Sequence, residues 1–163
     1  MATLLLALAA AGCGFEPLYG ERSSGAEASA ELAAVKVNTI PNRNGQILHN
    51  FLLDKMNAKG RPATPAYALD IQLTEQKASV GIIKDNTATL AQLSSSVTYT
   101  LYDLKKKTAL QTGRSRSFTS YNIVESNFAT LAAEQDARER TLRELAEDIT
   151  TKVAVFLSTR SGS

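Results

Sequence analysis

The plainest pattern in the chain is the strict alternation at residues 67–74. Tyr67, Leu69, Ile71 and Leu73 alternate with Ala68, Asp70, Gln72 and Thr74, the period-two signature of a strand with one buried and one wet face. The pattern continues less regularly toward Val80, and a loop is expected at Gly81–Thr89. Beyond it Leu93, Val97, Tyr99 and Leu101 share one face of a further strand, and Asp103-Leu104-Lys105-Lys106-Lys107-Thr108 reads as a hairpin turn. The strand after that turn is expected over Ala109–Tyr121. On it Gly113, Ser115, Ser117 and Thr119 share one face, while Leu110, Arg114, Arg116 and Phe118 share the other. The small face lets a helix approach closely, which turns Arg114 and Arg116 outward. Upstream, residues 32–38 predict a short first strand, closed by the Pro41-Asn42 turn.

Two stretches change to the helical period. Ile47, Leu48, Phe51, Leu52 and Met56 form one stripe, and Gly60-Arg61-Pro62 breaks the helix after it. His49 lies beside that stripe, where a solvated or capping imidazole is expected rather than a ligand. A long helix starts near Ser126 or Asn127, with Leu142, Leu145, Ala146, Ile149, Val153 and Phe156 as its apolar stripe. Arg138, Glu139, Arg140, Arg143, Glu144, Glu147 and Asp148 fall mostly off the stripe and read as a solvated face.

The order is therefore β-α-β-β-β-α. A helix between the first two strands demands a crossover, so those strands are expected to be parallel, and the later hairpins antiparallel. Both helices bury their stripes on one sheet face. The expected fold is α+β, a two-layer sandwich with two helices on one face of a four-stranded mixed sheet. The other sheet face would carry Asp70, Gln72, Thr74, Thr98, Thr100, Arg114 and Arg116, polar but not strongly charged.

The N-terminus sets the expected compartment. Residues 3–11 are a short apolar run ending in Gly12-Cys13. Such a run is too short for a bilayer core, which takes about 20 residues, and fits the h-region of a secretory signal peptide. The Cys after Ala10-Ala11-Gly12 resembles a bacterial lipobox, in which that thiol is lipidated and the chain is cut before it. The other reading of the residues is a buried helix with Cys13 as an inert core thiol. On the lipobox reading, residues 1–12 are the signal peptide and 13–31 the lipidated N-terminus with a flexible tether. A single domain then spans 32–158, followed by a disordered tail at 159–163. Gly14 after the Cys favours the outer membrane over inner-membrane retention.

Composition narrows the function classes. The 163 residues, 44% hydrophobic and 21% charged, suit one globular domain. A net charge of +2 is too balanced for a nucleic-acid binder working by bulk charge. One Cys and one His exclude a Cys/His metal site of ordinary ligation. No phosphate loop or nucleophile elbow is present, so neither a catalytic constellation nor a cofactor is expected. The residues that stand out are basic: Lys84 in the loop, Lys105, Lys106 and Lys107 at a hairpin tip, and Arg114 and Arg116 on a strand. A lysine-rich hairpin can simply keep a turn soluble and a strand edge unpaired. The alternative is an anion site, since guanidinium and ammonium groups pair with phosphates through charge-assisted hydrogen bonds.

Cys13-Gly14-Phe15-Glu16-Pro17-Leu18-Tyr19-Gly20 resembles the mature start of the LptE family of lipopolysaccharide-assembly lipoproteins. Thr112-Gly113-Arg114-Ser115-Arg116-Ser117-Phe118, Ser120-Tyr121-Asn122, Phe128-Ala129 and Asp136-Ala137-Arg138 are also similar to that family, as is the order of elements. The resemblance implies a lipid-anchored protein on the periplasmic side of the outer membrane. Such a protein plugs the LptD β-barrel, helps it assemble, and binds lipopolysaccharide during insertion into the outer leaflet. It implies no enzyme activity. Where family members often have a basic residue at the start of the third strand, this chain has Leu90 and Gln92. No binding residue is therefore carried over, and the six basic side chains named above rest on their own chemistry. The same anchor, size and fold class would also suit an accessory lipoprotein of a periplasmic ABC lipid-transport system, or a pilotin-like secretin chaperone.

Overall fold

The computed structural model of the chain describes residues 29–82 and 88–161. Its elements run β1 (Val35–Val37), α1 (Asn42–Met56), β2 (Tyr67–Ile82), β3 (Ala88–Asp103), β4 (Thr108–Asn122) and α2 (Asn127–Ser161). The sheet order is β1-β2-β3-β4, with β1 parallel to β2 and the other pairs antiparallel. Crossover, hairpins and layer assignment thus follow the hydrophobic pattern.

Length matching explains the shape. A helix of 35 residues is about 52 Å long, and a strand of 16 residues reaches about 53 Å. Helix α2 can therefore run the whole length of the sheet, while the 15 residues of α1 lie beside its C-terminal half. The main core joins Leu48, Leu52 and Met56 of α1 to Leu69, Ile71, Val97, Tyr99 and Leu101 of the sheet. Leu142, Leu145, Ile149, Val153 and Leu157 of α2 close it. A smaller cluster of Ala91, Leu93, Tyr121 and Ala137 lies under the first turns of α2. Between the two sits a polar row across the sheet, Glu75 opposite Ser95 and Ser95 opposite Ser117.

Several expectations are corrected. Residues 29–33, assigned to the end of the tether and the start of a strand, form a helical turn, and β1 is only Val35–Val37. The Ala-Glu-Leu-Ala-Ala run favours a helix, and the turn drops Leu32 into the core. The loop predicted at 81–89 shrinks, because β2 runs through a register shift at Gly81 to Ile82 and β3 starts at Ala88. A bulge where Leu101 pairs with Gln111 and Tyr102 with Ala109 leaves Leu110 as the extra residue. Leu110 packs on the main core instead of sharing a face with the arginines. Residues 159–161, expected in a tail, are helical, and Arg160 anchors that last turn by donating from Nη2 to Asp103 Oδ2 at 3.3 Å.

The short strand β1 is held from outside by side chains. Asn57 Nδ2 donates to the carbonyls of Ala33 and Val35, at 3.1 and 3.2 Å. His49 is buried, with Nε2 donating to Val37 O at 3.4 Å and Nδ1 facing the Gln46 amide. Of the two roles expected for the one histidine, solvated or capping, burial rules out the first, and the ring caps the Val37 carbonyl.

Candidate functional site

The open face of the sheet carries even-numbered side chains of β2 and β3 and, beyond the bulge at Leu110, those of β4. Asp70, Gln72, Thr74, Thr98, Thr100, Arg114 and Arg116 lie on it, as the alternation predicts. Its polar groups bond along the surface: Thr100 and Thr112 hydroxyls are 3.2 Å apart, and Asn38 Nδ2 donates to Asp70 Oδ1. Arg116 Nε donates to Ser94 Oγ at 3.1 Å. Arg114 and Arg116 are exposed neighbours on the same face of β4, and among the described residues neither meets a carboxylate. Phe118 continues the row with 65% of its surface exposed.

Lys105, Lys106 and Lys107 sit at the β3–β4 turn with exposed side chains. Their backbone, not their charge, builds the turn. Asp103 Oδ1 accepts the N–H of Lys105 at 3.0 Å and of Lys106 at 2.9 Å, and Lys107 takes the left-handed conformation at φ 54°. The Lys106 N–H, with Arg160 and the Lys105 N–H, holds the Asp103 carboxyl below the usual carboxylate range against a smaller opposing effect of burial.

These basic side chains do not form one cluster. Arg114 lies seven residues along β4 from Lys107, about 23 Å at strand rise. Lys84 and Cys13 lie outside the described residues. The structure brings together Arg114 with Arg116 and keeps the three turn lysines apart from them.

A second set of charges, on the helix side of the sheet, was not legible in the sequence. Glu134 of α2 accepts from Lys77 Nζ at 2.5 Å, Arg138 Nη2 at 2.8 Å and Tyr121 Oη at 2.9 Å. These bonds, led by Lys77, lower its carboxyl to about 2. Arg138 also faces Glu75 at 3.5 Å, and Glu75 in turn accepts from Asn44 and Ser95. Ser117 and Ser115 donate to Glu144 and Asp148 of α2. Burial pushes the Asp148 carboxyl up, but the hydrogen bonds from Lys152 and Ser115 together outweigh it and leave it lowered. Part of the helix face expected to be solvated is therefore a polar seam that glues α2 to the sheet. The small side chains of β4 make the close approach possible, as anticipated.

Arginines on an exposed sheet face can bind anions, and a flat surface of hydroxyls and amides can dock on a polar wall. Among the described residues no group of three or more His, Cys, Asp or Glu side chains is placed to hold a metal. No described helix is long and apolar enough to cross a membrane. A hollow of about 310 Å³ between β1 and α1 is lined by Lys36, His49, Asn57 and Arg61.

Comparison with known proteins adds the following. The model of the LptE family, described as lipopolysaccharide-assembly, matches residues 32–153. No curated protein matches the chain. Among solved structures, a protein described as a lipoprotein from Caulobacter crescentus is 27% identical, with a TM-score of 0.70 over 82% of this chain and 97% of that one. A minor lipoprotein from Acinetobacter baumannii is 16% identical, with a TM-score of 0.59 over 74% of this chain and 90% of its own. The rare lipoprotein B from Shewanella oneidensis shares the fold at 10% identity, with a TM-score of 0.57 over 74% and 93% of the two chains.

Proposed function

The chain belongs to the LptE lipopolysaccharide-assembly family, and from that membership we infer that it plugs an LptD-type β-barrel of the outer membrane. It helps that barrel assemble and binds lipopolysaccharide on its way to the outer leaflet. The observation that carries this reading is the family match across the whole sheet and most of α2. Three physical features support it. Barrel lumens are polar, and the open sheet face offers Gln72, Thr74, Thr98, Thr100 and Thr112 as donors and acceptors. A plug must be stiff, and α2 braces strands of matching length along the full sheet. Arg114 and Arg116 present guanidinium groups that meet no carboxylate among the described residues and are suited to phosphate.

On this reading Cys13 carries the acyl anchor, and the domain stands on the periplasmic side of the outer membrane. Two or more chains are needed for a stable anchor, at about 0.8 kcal/mol for each buried CH₂. The test is extraction of the tagged chain in gentle detergent, with its partners identified by mass. One large heat-modifiable barrel, in one-to-one amount, is the expected result. An inner-membrane transporter in its place would overturn the plug reading.

A further inference from the structure

The outer edge of β4 has no neighbouring strand among the described residues. It is 15 residues long. Lys152 Nζ donates to Arg114 O at 3.0 Å, so the backbone of Arg114 faces outward. In an antiparallel ladder, alternate residues point N–H and C=O to the same side. Thr112, Arg116, Phe118 and Ser120 therefore turn theirs to the same open edge, and no described residue bonds to them there. The Arg114 carbonyl keeps a second lone pair.

A groove runs beside this edge, between β4 and α2. Its first part, about 560 Å³, has Tyr99, Gly113, Val155 and Phe156 as its apolar lining and Gln111 and Lys152 as polar lining. Gly113 lets the Tyr99 ring lie at the base of the groove, because the ring occupies the place a side chain at 113 would need. Among the described residues the buried Oε1 of Gln111 has no hydrogen-bond partner. Beyond Lys152 a second hollow of about 360 Å³ continues past Ser117, Glu144 and Asp148.

We propose that this edge and groove receive an extended polypeptide segment as an added strand, one that carries carboxylates at alternate positions. Backbone bonds to β4 give the affinity, and side chains alternating between groove and open face give the selectivity. The carboxylates face Arg114 and Arg116, which meet no acidic partner among the described residues and stand on the open face beside this edge. A second copy of this chain is disfavoured, because its own β4 would bring the same two arginines to the contact, and like charges opposite one another destabilise a strand pair. A phosphate-bearing lipid would satisfy the arginines but leave the backbone row and Gln111 unpaired. If the plug reading holds, the segment belongs to the barrel partner; the edge chemistry stands without it.

The test uses the full chain in mild detergent and a synthetic ten-residue peptide alternating Glu and Val. The peptide should bind at least tenfold more tightly than its Lys/Val counterpart, and amide exchange at Thr112, Arg116 and Phe118 should slow at least tenfold. N-methylation of the peptide amides that face β4, with every charge kept, should abolish binding. Thr112→Pro should do the same, since proline is tolerated at an edge where the N–H points away from the sheet. Equal binding of the N-methylated peptide, or binding without slowed exchange, would overturn strand addition and leave the arginines as a simple anion site. So would displacement of the peptide by purified lipopolysaccharide when no β4 amide had been protected. Loss of protection with the barrel still captured would refute the added strand alone, and the reverse result would refute the plug alone.

Discussion

The ring of Tyr99 on β3 lies directly over Gly113, its partner on β4, and fills the space a side chain at 113 would need. Tyr99 is 1% exposed and cannot swing away. Gly113→Ala should therefore destabilise the domain by about 1–3 kcal/mol, the usual cost of overpacking. Urea unfolding measures it, and a change below about 0.5 kcal/mol would show that the ring has room to move.

The Glu134 carboxyl gives the protein an acid-sensitive seam. Its folded value of about 2 lies below the ordinary 4.5 because Lys77, Arg138 and Tyr121 bond the charged form. A depressed folded value means that the stabilisation is complete above about 4.5 and is lost as pH falls toward 2. Glu134→Gln should lower the midpoint of thermal unfolding at pH 7 and flatten its decline between pH 5 and pH 2. Asp103 and Asp148 are also lowered, so the variant retains part of that decline. A variant curve parallel to the wild-type curve across this range would refute the assignment.

Removing the Asn57 amide should loosen β1. Asn57→Ala leaves the carbonyls of Ala33 and Val35 without their donor, and an orphaned buried group costs about 1–3 kcal/mol. Amide exchange around Val35–Val37 should rise before that of β3. Uniform exchange across both strands would mean that Asn57 supports the whole fold rather than this edge.

The turn lysines should be separable from the fold. The turn rests on Asp103 and the backbone N–H groups of Lys105 and Lys106. Replacing Lys105, Lys106 and Lys107 by Gln should thus change stability by no more than about 0.5 kcal/mol. If these residues meet lipopolysaccharide, the same variant should bind it more weakly at low salt than at high salt relative to wild type. Unchanged binding at both would make them solubilising turn charges.

What was legible in the sequence was what depends on local period. The alternation at Tyr67–Leu73, the α1 stripe and the α2 stripe each fixed a face, and the crossover then dictated the strand order. Leu110 was misplaced because a bulge shifts the alternation by one residue and leaves no mark on composition. The Leu32 stretch was ambiguous because a short apolar run fits a helical turn as well as a strand. The polar seam was invisible for a different reason: Lys77 and Glu134 are 57 residues apart, so each looks like an ordinary surface charge until the sheet and α2 are in register. The basic residues were each identifiable, but their separation along the strand axis appears only once β4 is laid out from Thr108 to Asn122.

Depletion of the chain in its host, followed by the fate of newly made lipopolysaccharide and of the outer-membrane barrel, tests the central claim most directly. The account predicts that lipopolysaccharide fails to reach the cell surface and that the barrel no longer matures to its heat-modifiable form. Normal surface lipopolysaccharide alongside a fully matured barrel would contradict it.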